Sequence, residues 1–575
     1  MTAIPRYADT TEQKSNGATY TPKSLSDFVA MQIFNQIENT NGKVLRILDP
    51  AVGDGELLES LIAQLSRYSN AKYEIYGFDT NNEALESAEK RLDKISPHIQ
   101  SHFKKEDFLD FVSEKFLKNK MDLFSSDKPN VVEPFDVIIA NPPYVRTQIM
   151  GAAKAQKLAE TFGLIGRVDL YHAFLTGMAK TLKVGGVAGI IVSNRFMSTR
   201  SGAQIRAEII KDFRIKKVWD LGDTKIFNAA VLPAVLLLEK RETNFIEEKN
   251  SKIQPEFISI YETHEFPGSK AGDVFEALSC NGIVEIKDGK RFYVQKGYLE
   301  VDETPDGVWR VSNTKNNSWL AKVREHTWNT FGELGKIKVG VKTTADDVFI
   351  NSDWNTMLER ERPELLRPLS THHIARRFKP LESENLSWIL YPHIIVDGKR
   401  KAVDISRYPR AFEYLKKHEQ LLKNRKYVIE AGRQWYEIWV PHDPEDWNKP
   451  KIVFRDISKK PTFWFDASGS VVNGDCYWLS LNEGKNPDLL WLALGVSNST
   501  FIEKFYDHMF HNKLYAGRRR FITQYVEHFP IPDPNREVSK KIILLTKKIY
   551  ENTSLGNIIS EEEKLDKLIS SAFGV

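Results

Sequence analysis

VLRILDPAVGDGELLESLIAQL, residues 44–65, decides the fold of this chain. An apolar run ends in Asp49, Gly53 and Gly55 follow, and Leu57, Leu58, Leu61, Ile62 and Leu65 then recur at helical spacing. This is a buried strand that turns tightly into an amphipathic helix, with two glycines that let a ligand approach the backbone. The alternation continues through candidate strands YEIYGFD (73–79), FDVIIAN (135–141), VAGIIVSN (187–194), IKKVWDL (215–221) and VLPAVLLLE (231–239), separated by helical stretches such as NEALESAEKRLDKI. The pattern predicts an α/β fold whose largely parallel sheet is covered on both faces.

At 575 residues the chain exceeds one hydrophobic core. Around 241–269 the sequence turns charged and polar, and beyond 320 it becomes rich in Trp and Tyr, with short β-like runs (IKVGVKTT, PKIVFRD) among basic helices. The expected organisation is a first domain over 1–245, a connecting segment over 246–320 and an α+β domain over 321–575. No apolar run approaches a membrane span, and MTAIPRYADTTEQK lacks an apolar signal core, so a cytoplasmic protein without membrane association is expected. Cys280 and Cys476 are the two cysteines, which excludes a cysteine-based zinc site. The net charge of +4 neither demands nor forbids an anionic partner, so local clusters must decide.

The loop DPAVGDGELLE departs from the dinucleotide fingerprint: Leu58 stands where the third glycine belongs, and Asp49 and Asp54 flank it. Carboxylates repel a pyrophosphate and suit an amine or a sulfonium. By itself the loop also reads as a plain turn and helix start. Asp79 ends its strand where α/β nucleotide sites place an acid on both ribose hydroxyls, although in isolation it reads better as a helix cap. In KKEDFLDF, Asp107 and Phe108 offer an acceptor beside a flat apolar face, as an adenine ring requires; Phe108 alone would be assigned to the core. Three acids at successive strand ends predict one site for an adenosine-plus-amino-acid ligand at the carboxyl edge of the sheet.

The strand FDVIIA runs into Asn141, Pro142, Pro143 and Tyr144 at that same edge. The prolines remove two amide donors and fix the backbone, leaving carbonyls free to accept. An exocyclic amino group conjugated to a ring or carbonyl is a poor nucleophile. Two acceptors, the Asn141 side-chain oxygen and the Pro142 carbonyl, can hold its hydrogens and draw the nitrogen towards tetrahedral geometry, while Tyr144 stacks on the planar substrate. The bland alternative is a Pro-Pro turn with an Asn cap.

DPAVGDG followed by NPPY resembles the class I amino methyltransferases that use S-adenosyl-L-methionine (AdoMet), and in particular the gamma group of adenine-specific DNA methyltransferases from type II restriction-modification systems. GATYTPKSLSDFV (17–29), GRVDLYHAF (166–174) and IFNAAVLPAV (226–235) extend the resemblance over about residues 15–240. It implies a class I, Rossmann-like AdoMet methyltransferase domain followed by a large α+β target-recognition domain. It further implies that Thr21 and Asp49 contact the methionine part of AdoMet, that Ala51, Gly53 and Gly55 form its loop, that Asp79 holds the ribose, and that Asp107 and Phe108 hold the adenine. Asn141, Pro142, Pro143 and Tyr144 are then catalytic, and Phe227 faces Tyr144 across the target base; an aromatic beside an apolar run is otherwise more often core. The implied reaction is direct in-line methyl transfer without a covalent enzyme intermediate and without a metal. His372 and His373 are adjacent and face different ways, and no third ligand is apparent.

NPPY also occurs in protein-glutamine and RNA amino methyltransferases, so the long C-terminal part decides the substrate. HMFHNKLYAGRRRFITQYV (508–526) carries Lys513, Arg518, Arg519 and Arg520 among Tyr515, Phe521 and Tyr525 without an acid, which fits DNA contact; a solvated basic helix end is the alternative. The favoured reading is a sequence-specific adenine methyltransferase acting on a base flipped out of double-stranded DNA, protecting host DNA from a separate restriction endonuclease. Alternatives are a cytosine 4-amino DNA methyltransferase, an RNA or protein-glutamine amino methyltransferase, and a specificity protein with an inactive methyltransferase fold. NPPYVRTQ and NKLYAGRRR most resemble the subgroup that modifies ATCGAT.

Overall fold

The computed structural model of the chain describes residues 20–37, 43–67, 71–95, 99–117, 132–144, 152–164, 169–227, 232–242, 254–301, 307–382, 387–510, 513–514, 517–552 and 558–575. Several motif residues, 17–19, 145–148, 166–168 and 228–231, lie outside the described residues, as do Tyr515 and the side chain of Lys513. Two compact units divide the chain: Met1–Asn313 with Lys513–Gly517, and Thr314–Asn512 with Arg518–Val575.

In the first unit, strands β1 (Val44–Asp49), β2 (Lys72–Asp79), β3 (Ile99–Lys105), β4 (Phe135–Ala140), β5 (Leu182–Ser193), β6 (Phe213–Asp220) and β7 (Pro233–Lys240) lie in the order β3-β2-β1-β4-β5-β7-β6. The pairs of β1 with β2 and β4, of β2 with β3 and of β4 with β5 are parallel. β7 runs antiparallel between β5 and β6. This is the class I methyltransferase arrangement. Helices α1 (Lys23–Phe34), α2 (Glu56–Leu65), α3 (Asn82–Leu92), α4 (Phe108–Val112), α5 (Ala152–Phe162), α6 (Leu170–Thr181) and α7 (Ala203–Asp212) accompany the sheet. Along β4, Ile138 and Ala140 enter one apolar layer and Val137 and Ile139 the other. The strand is therefore buried on both faces, which is why it reads as a continuous apolar run.

Two features differ from the sequence expectation. β3 is an edge strand of sequence IQSHFKK whose side chains are half-buried or exposed, so it carries no hydrophobic signal. The expected connecting segment 246–320 instead holds β8 (Glu256–Glu262), β9 (Ser269–Ala271), β10 (Gly282–Ile286), β11 (Arg291–Val301) and β12 (Trp309–Ser312). β8 pairs in parallel with β6, and the others follow, so among the described residues this sheet has twelve strands and the first unit extends to Asn313.

The second unit is α+β. One four-stranded sheet joins Gly335–Val339, Cys476–Leu481, Lys451–Arg455 and Phe463–Asp466; another joins Ile350–Asn351, Ser387–Leu390, Leu366–Ser370 and Val471–Val472. Trp447, Trp464 and Trp478 are fully buried in its core, which accounts for the aromatic richness of this half. Helices Asp488–Ser497, Thr500–Phe510, Glu537–Asn552 and Ile559–Ala572 complete it.

Candidate active site

The carboxyl ends of β1 and β4 are neighbours, since Leu48 pairs with Ile138, and this places Asp49 and Asn141 at one edge. The Asp49 carboxyl is fully buried. Its Oδ1 accepts from the Ala51 amide at 3.0 Å, while Oδ2 has no hydrogen-bond partner. Burial, followed by the smaller influences of Asp79 and Asp54, pushes its pKa up to about 8. An unpartnered buried carboxylate oxygen is unfavourable unless something cationic satisfies it.

The loop after Asp49 is held from two sides. The Asp79 carboxylate accepts from Gly53 at 3.0 Å and from Asn81 at 2.8 Å, so it braces the turn as well as ending its strand. The helix cap proper is Asn81, whose side chain accepts from Glu83. Arg91 of α3 donates to the Asp54 carbonyl and carboxylate, both at 2.9 Å, and to Glu56 and Glu59 at 2.8 and 2.7 Å. Asp54 is thereby engaged, although Arg91 shares its single charge with Glu56 and Glu59, and of the two acids expected to greet a cation only Asp49 has no ion-pair partner among the described residues. The sequence gives no signal for Arg91, which sits 37 residues from Asp54. Gly53 has φ +53° and open space where a Cβ would stand, whereas a Cβ on Gly55 would meet Ala88 at 2.9 Å. The first glycine leaves room for a ligand and the second permits close approach of α3. Ala51 lies half-buried in the same loop.

Asn141 is oriented by two neighbours. Its Nδ2 donates to Thr21 Oγ1 at 3.0 Å, and Tyr144 Oη donates to its Oδ1 at 3.1 Å. Thr21 precedes α1, which is anchored by Leu25, Val29, Ala30 and Ile33, all fully buried. Thr21 was expected on the cofactor; the structure puts its hydroxyl on the amide of Asn141. Oδ1 is consequently the acceptor that Asn141 presents. Tyr144 Oη also lies 3.2 Å from the Ile191 carbonyl, and its ring is 6.3 Å from Tyr171 on α6. Burial pushes the Tyr144 phenol upward, so it is a neutral donor. Pro142 is buried and Pro143 half-buried, and among the described residues no donor reaches the Pro142 carbonyl.

Four expectations change. Asp107 caps α4 by accepting from Leu109 at 3.0 Å, with Lys154 3.7 Å away. Phe108 is 1% exposed and packs against Phe78 and Phe174, so its ring faces serve the core and not the crevice. Phe227 is 5% exposed and belongs to the apolar layer of Val137 and Ile139, whereas Tyr144 packs against the layer of Ile138 and Ala140. The two rings do not form facing walls of one slot here. In the second unit, Arg519 is 9% exposed and bonds both oxygens of Asp507 at 2.8 Å, and Arg520 bonds both oxygens of Asp456 at 2.9 and 3.0 Å. One of these acids, Asp507, stands just before the basic run and the other, Asp456, comes from a distant strand end, and of the three arginines only Arg518 is exposed. Arg519→Ala is therefore expected to lower stability by about 3–5 kcal/mol through the carboxylates it abandons. Chemical denaturation checks this; an unchanged midpoint would contradict the structural role.

The family model described as the Eco57I restriction-modification methylase matches residues 68–227, and that of the TaqI-like C-terminal specificity domain matches residues 397–531. The type II methyltransferase M.BanIII of Aneurinibacillus aneurinilyticus is 39% identical over 578 residues, covering 98% of this chain and 98% of its own length. The type II methyltransferase M.BstVI of Geobacillus stearothermophilus is 23% identical, over 97% of this chain and 96% of its own. Among solved structures, the cryo-EM DrdV–DNA complex aligns with a TM-score of 0.51 at 13% identity, over 94% of this chain and 58% of that one.

Proposed function

Since this chain belongs to the type II restriction-modification DNA methyltransferases, we propose that it methylates the exocyclic 6-amino group of an adenine flipped out of duplex DNA, with AdoMet as methyl donor. The observation that carries this reading is the oriented amide of Asn141, beside the unpartnered Asp49 carboxylate. The donor set suits AdoMet: Asp49 Oδ2 would take its ammonium, the open turn at Gly53 would admit its backbone-close portion, and Asp79 would take its ribose, with acceptor capacity left beyond its two amide bonds. Bound there, AdoMet supplies an electrophilic methyl on a sulfonium. Asp107 near the adenine is retained from the family pattern.

The chain's own residues prepare the nucleophile. Asn141 Oδ1 and the Pro142 carbonyl accept the two amino hydrogens, which withdraws the nitrogen lone pair from the ring and aims it out of the ring plane. Thr21 accepts from Nδ2 of Asn141, which leaves Oδ1 to meet the amino group. Tyr144 gives up its bond to Asn141 when the base enters and offers its ring as a stacking face. The proton released from nitrogen passes to solvent. A neutral Asn at this position favours adenine over cytosine. The partner nuclease is a separate chain, the working compartment is the cytoplasm, and a site of the ATCGAT type is the first to try.

The test offers the purified protein methyl-labelled AdoMet with duplex DNA, RNA or a protein extract in turn. Label is expected in duplex DNA. Label confined to RNA or protein would overturn the substrate while leaving the amino-transfer chemistry standing.

A further inference from the structure

Within the basic run Arg519 and Arg520 are consumed by internal ion pairs, and a different surface of the second unit also has a character complementary to DNA. Arg425 is 6% exposed. Its guanidinium donates to three carbonyls: Leu422 at 3.2 Å, Thr343 at 2.8 Å and Trp435 at 2.6 Å. Among the described residues no carboxylate pairs with it. A buried guanidinium held by carbonyls, with the Thr344 hydroxyl at 3.5 Å and the Phe349 ring 5.4 Å away but no carboxylate, is an expensive way to fix backbone. What it fixes lies at the surface. One segment is the turn at Thr344, an exposed residue held at φ +60°, and the other is the loop Ala431–Trp435, in which Ala431, Gly432 and Gln434 are exposed, Arg433 and Trp435 are half-buried, and Gly432 has φ +72°. Strain at Thr344 and a buried cation that ties this turn to the neighbouring loop point to a binding role for the two surface segments together.

The groups displayed around the clamp share one chemistry. Lys342 and Lys426 are exposed, and Arg433 lies 4.8 Å over the ring of Trp439. Arg433 also donates to the Trp439 carbonyl at 2.6 Å, which holds its guanidinium in place. Among the described residues none of these three cations is paired with an acid, in contrast to Arg519 and Arg520. Tyr427 is 40% exposed and meets Trp439 edge-on at 4.9 Å. Gln434 is exposed in the loop, and its backbone amide donates to Glu437 at 2.8 Å. Glu430, Asp346 and Asp347 are the exposed acids nearby; the Asp346 carboxylate is engaged by the Thr343 hydroxyl.

Resting on the DNA reading above, we propose that this face grips the duplex: Lys342, Lys426 and Arg433 neutralise backbone phosphates, and the clamped loop presents Gln434 to a base edge. Unpaired cations beside aromatic rings match a polyanion with planar bases, and a glutamine amide pairs bidentately with adenine in the major groove. Rigid presentation is what sequence readout needs. The role of Arg425 is positional.

The test measures binding of the full-length protein to fluorescent mixed-sequence duplexes of about 30 base pairs across 50–200 mM salt, in the range where phosphate contacts dominate. Lys342→Gln with Lys426→Gln and Arg433→Gln is expected to weaken binding at least tenfold at low salt and to flatten the salt slope by about 3, one for each phosphate lost. A control with Lys449→Gln, Lys540→Gln and Lys548→Gln removes the same charge from lysines that sit beside Asp446, Glu537 and Glu561, and should leave the slope nearly unchanged. Equal slopes for wild type and the first variant, or equal losses in the two variants, would overturn the surface. Gln434→Ala is expected to relax the set of methylated sites mapped on a plasmid; an unchanged set would remove Gln434 from readout. A wild-type chain that binds no DNA would instead sink the functional reading beneath the proposal.

Discussion

Asn141→Ala is expected to slow methyl transfer by at least about 100- to 1000-fold, the scale seen when one preorganised polar group that stabilises a developing charge is removed. The substitution deletes the Oδ1 acceptor and leaves the Pro142 carbonyl to hold the amino group alone. It also frees Tyr144 and Thr21, whose bonds to the amide are 3.1 and 3.0 Å long. Neither bond supports the apolar layers, and on the proposed reading AdoMet affinity would rest on Asp49, Asp79 and the glycine turn. Affinity measured by calorimetry should therefore stay near the wild-type value while single-turnover methylation collapses. Joint loss of binding and turnover would place Asn141 in the cofactor site and not at the nucleophile.

Asp49→Asn is expected to separate stability from function in the opposite direction. The folded carboxyl titrates at about 8, against an ordinary value of 3.8. A carboxyl raised in the folded state makes the protein most stable, by its own contribution, below about pH 4, and that contribution is lost as pH rises towards 8. Asn cannot ionise, so the variant should gain on the wild type across this window, reaching a few kcal/mol near pH 8 on the scale of about 1.4 kcal/mol per pH unit. Denaturant midpoints at pH 5 and pH 8 check this; parallel pH profiles would contradict the burial argument. The same change removes the anion that would face the AdoMet ammonium, and affinity should fall by about 2–5 kcal/mol, the usual result of truncating one partner of a buried charge pair. In the wild type an ammonium selects the ionised carboxylate, so binding below pH 8 should release a proton. Calorimetry in buffers of different ionisation enthalpy reads that proton directly.

Much of this site is legible before folding because it depends on chain-local chemistry. β1 follows the apolar run 44–49 residue for residue, and Asp49, Gly53, Asp79 and Asn141 fall at strand ends because strand and turn signals fix those ends. What escapes is partnership at a distance. Arg91 engages Asp54 and Asp456 engages Arg520 from segments that no linear pattern connects, and Asp507 engages Arg519 from just outside the basic run. A charge run in sequence shows which groups are present and not what they meet. Phe108 and Phe227 illustrate the same ambiguity for rings: beside apolar neighbours the core outcompetes the crevice, since burying a ring contributes on the order of 1.5–3 kcal/mol. β3 and the β8–β12 extension escape for another reason: β3 is an edge strand that needs no apolar alternation, and the extension follows a charged stretch that resembles a linker.

The central claim, that the amide at the end of β4 activates an adenine amino group, stands on one product. Duplex DNA methylated by the protein with labelled AdoMet should be digested to nucleosides and the labelled species identified by mass spectrometry. N6-methyladenine alone is the expected product. N4-methylcytosine as the labelled product would contradict it, because the pocket around Asn141 and Tyr144 would then be built for a smaller ring.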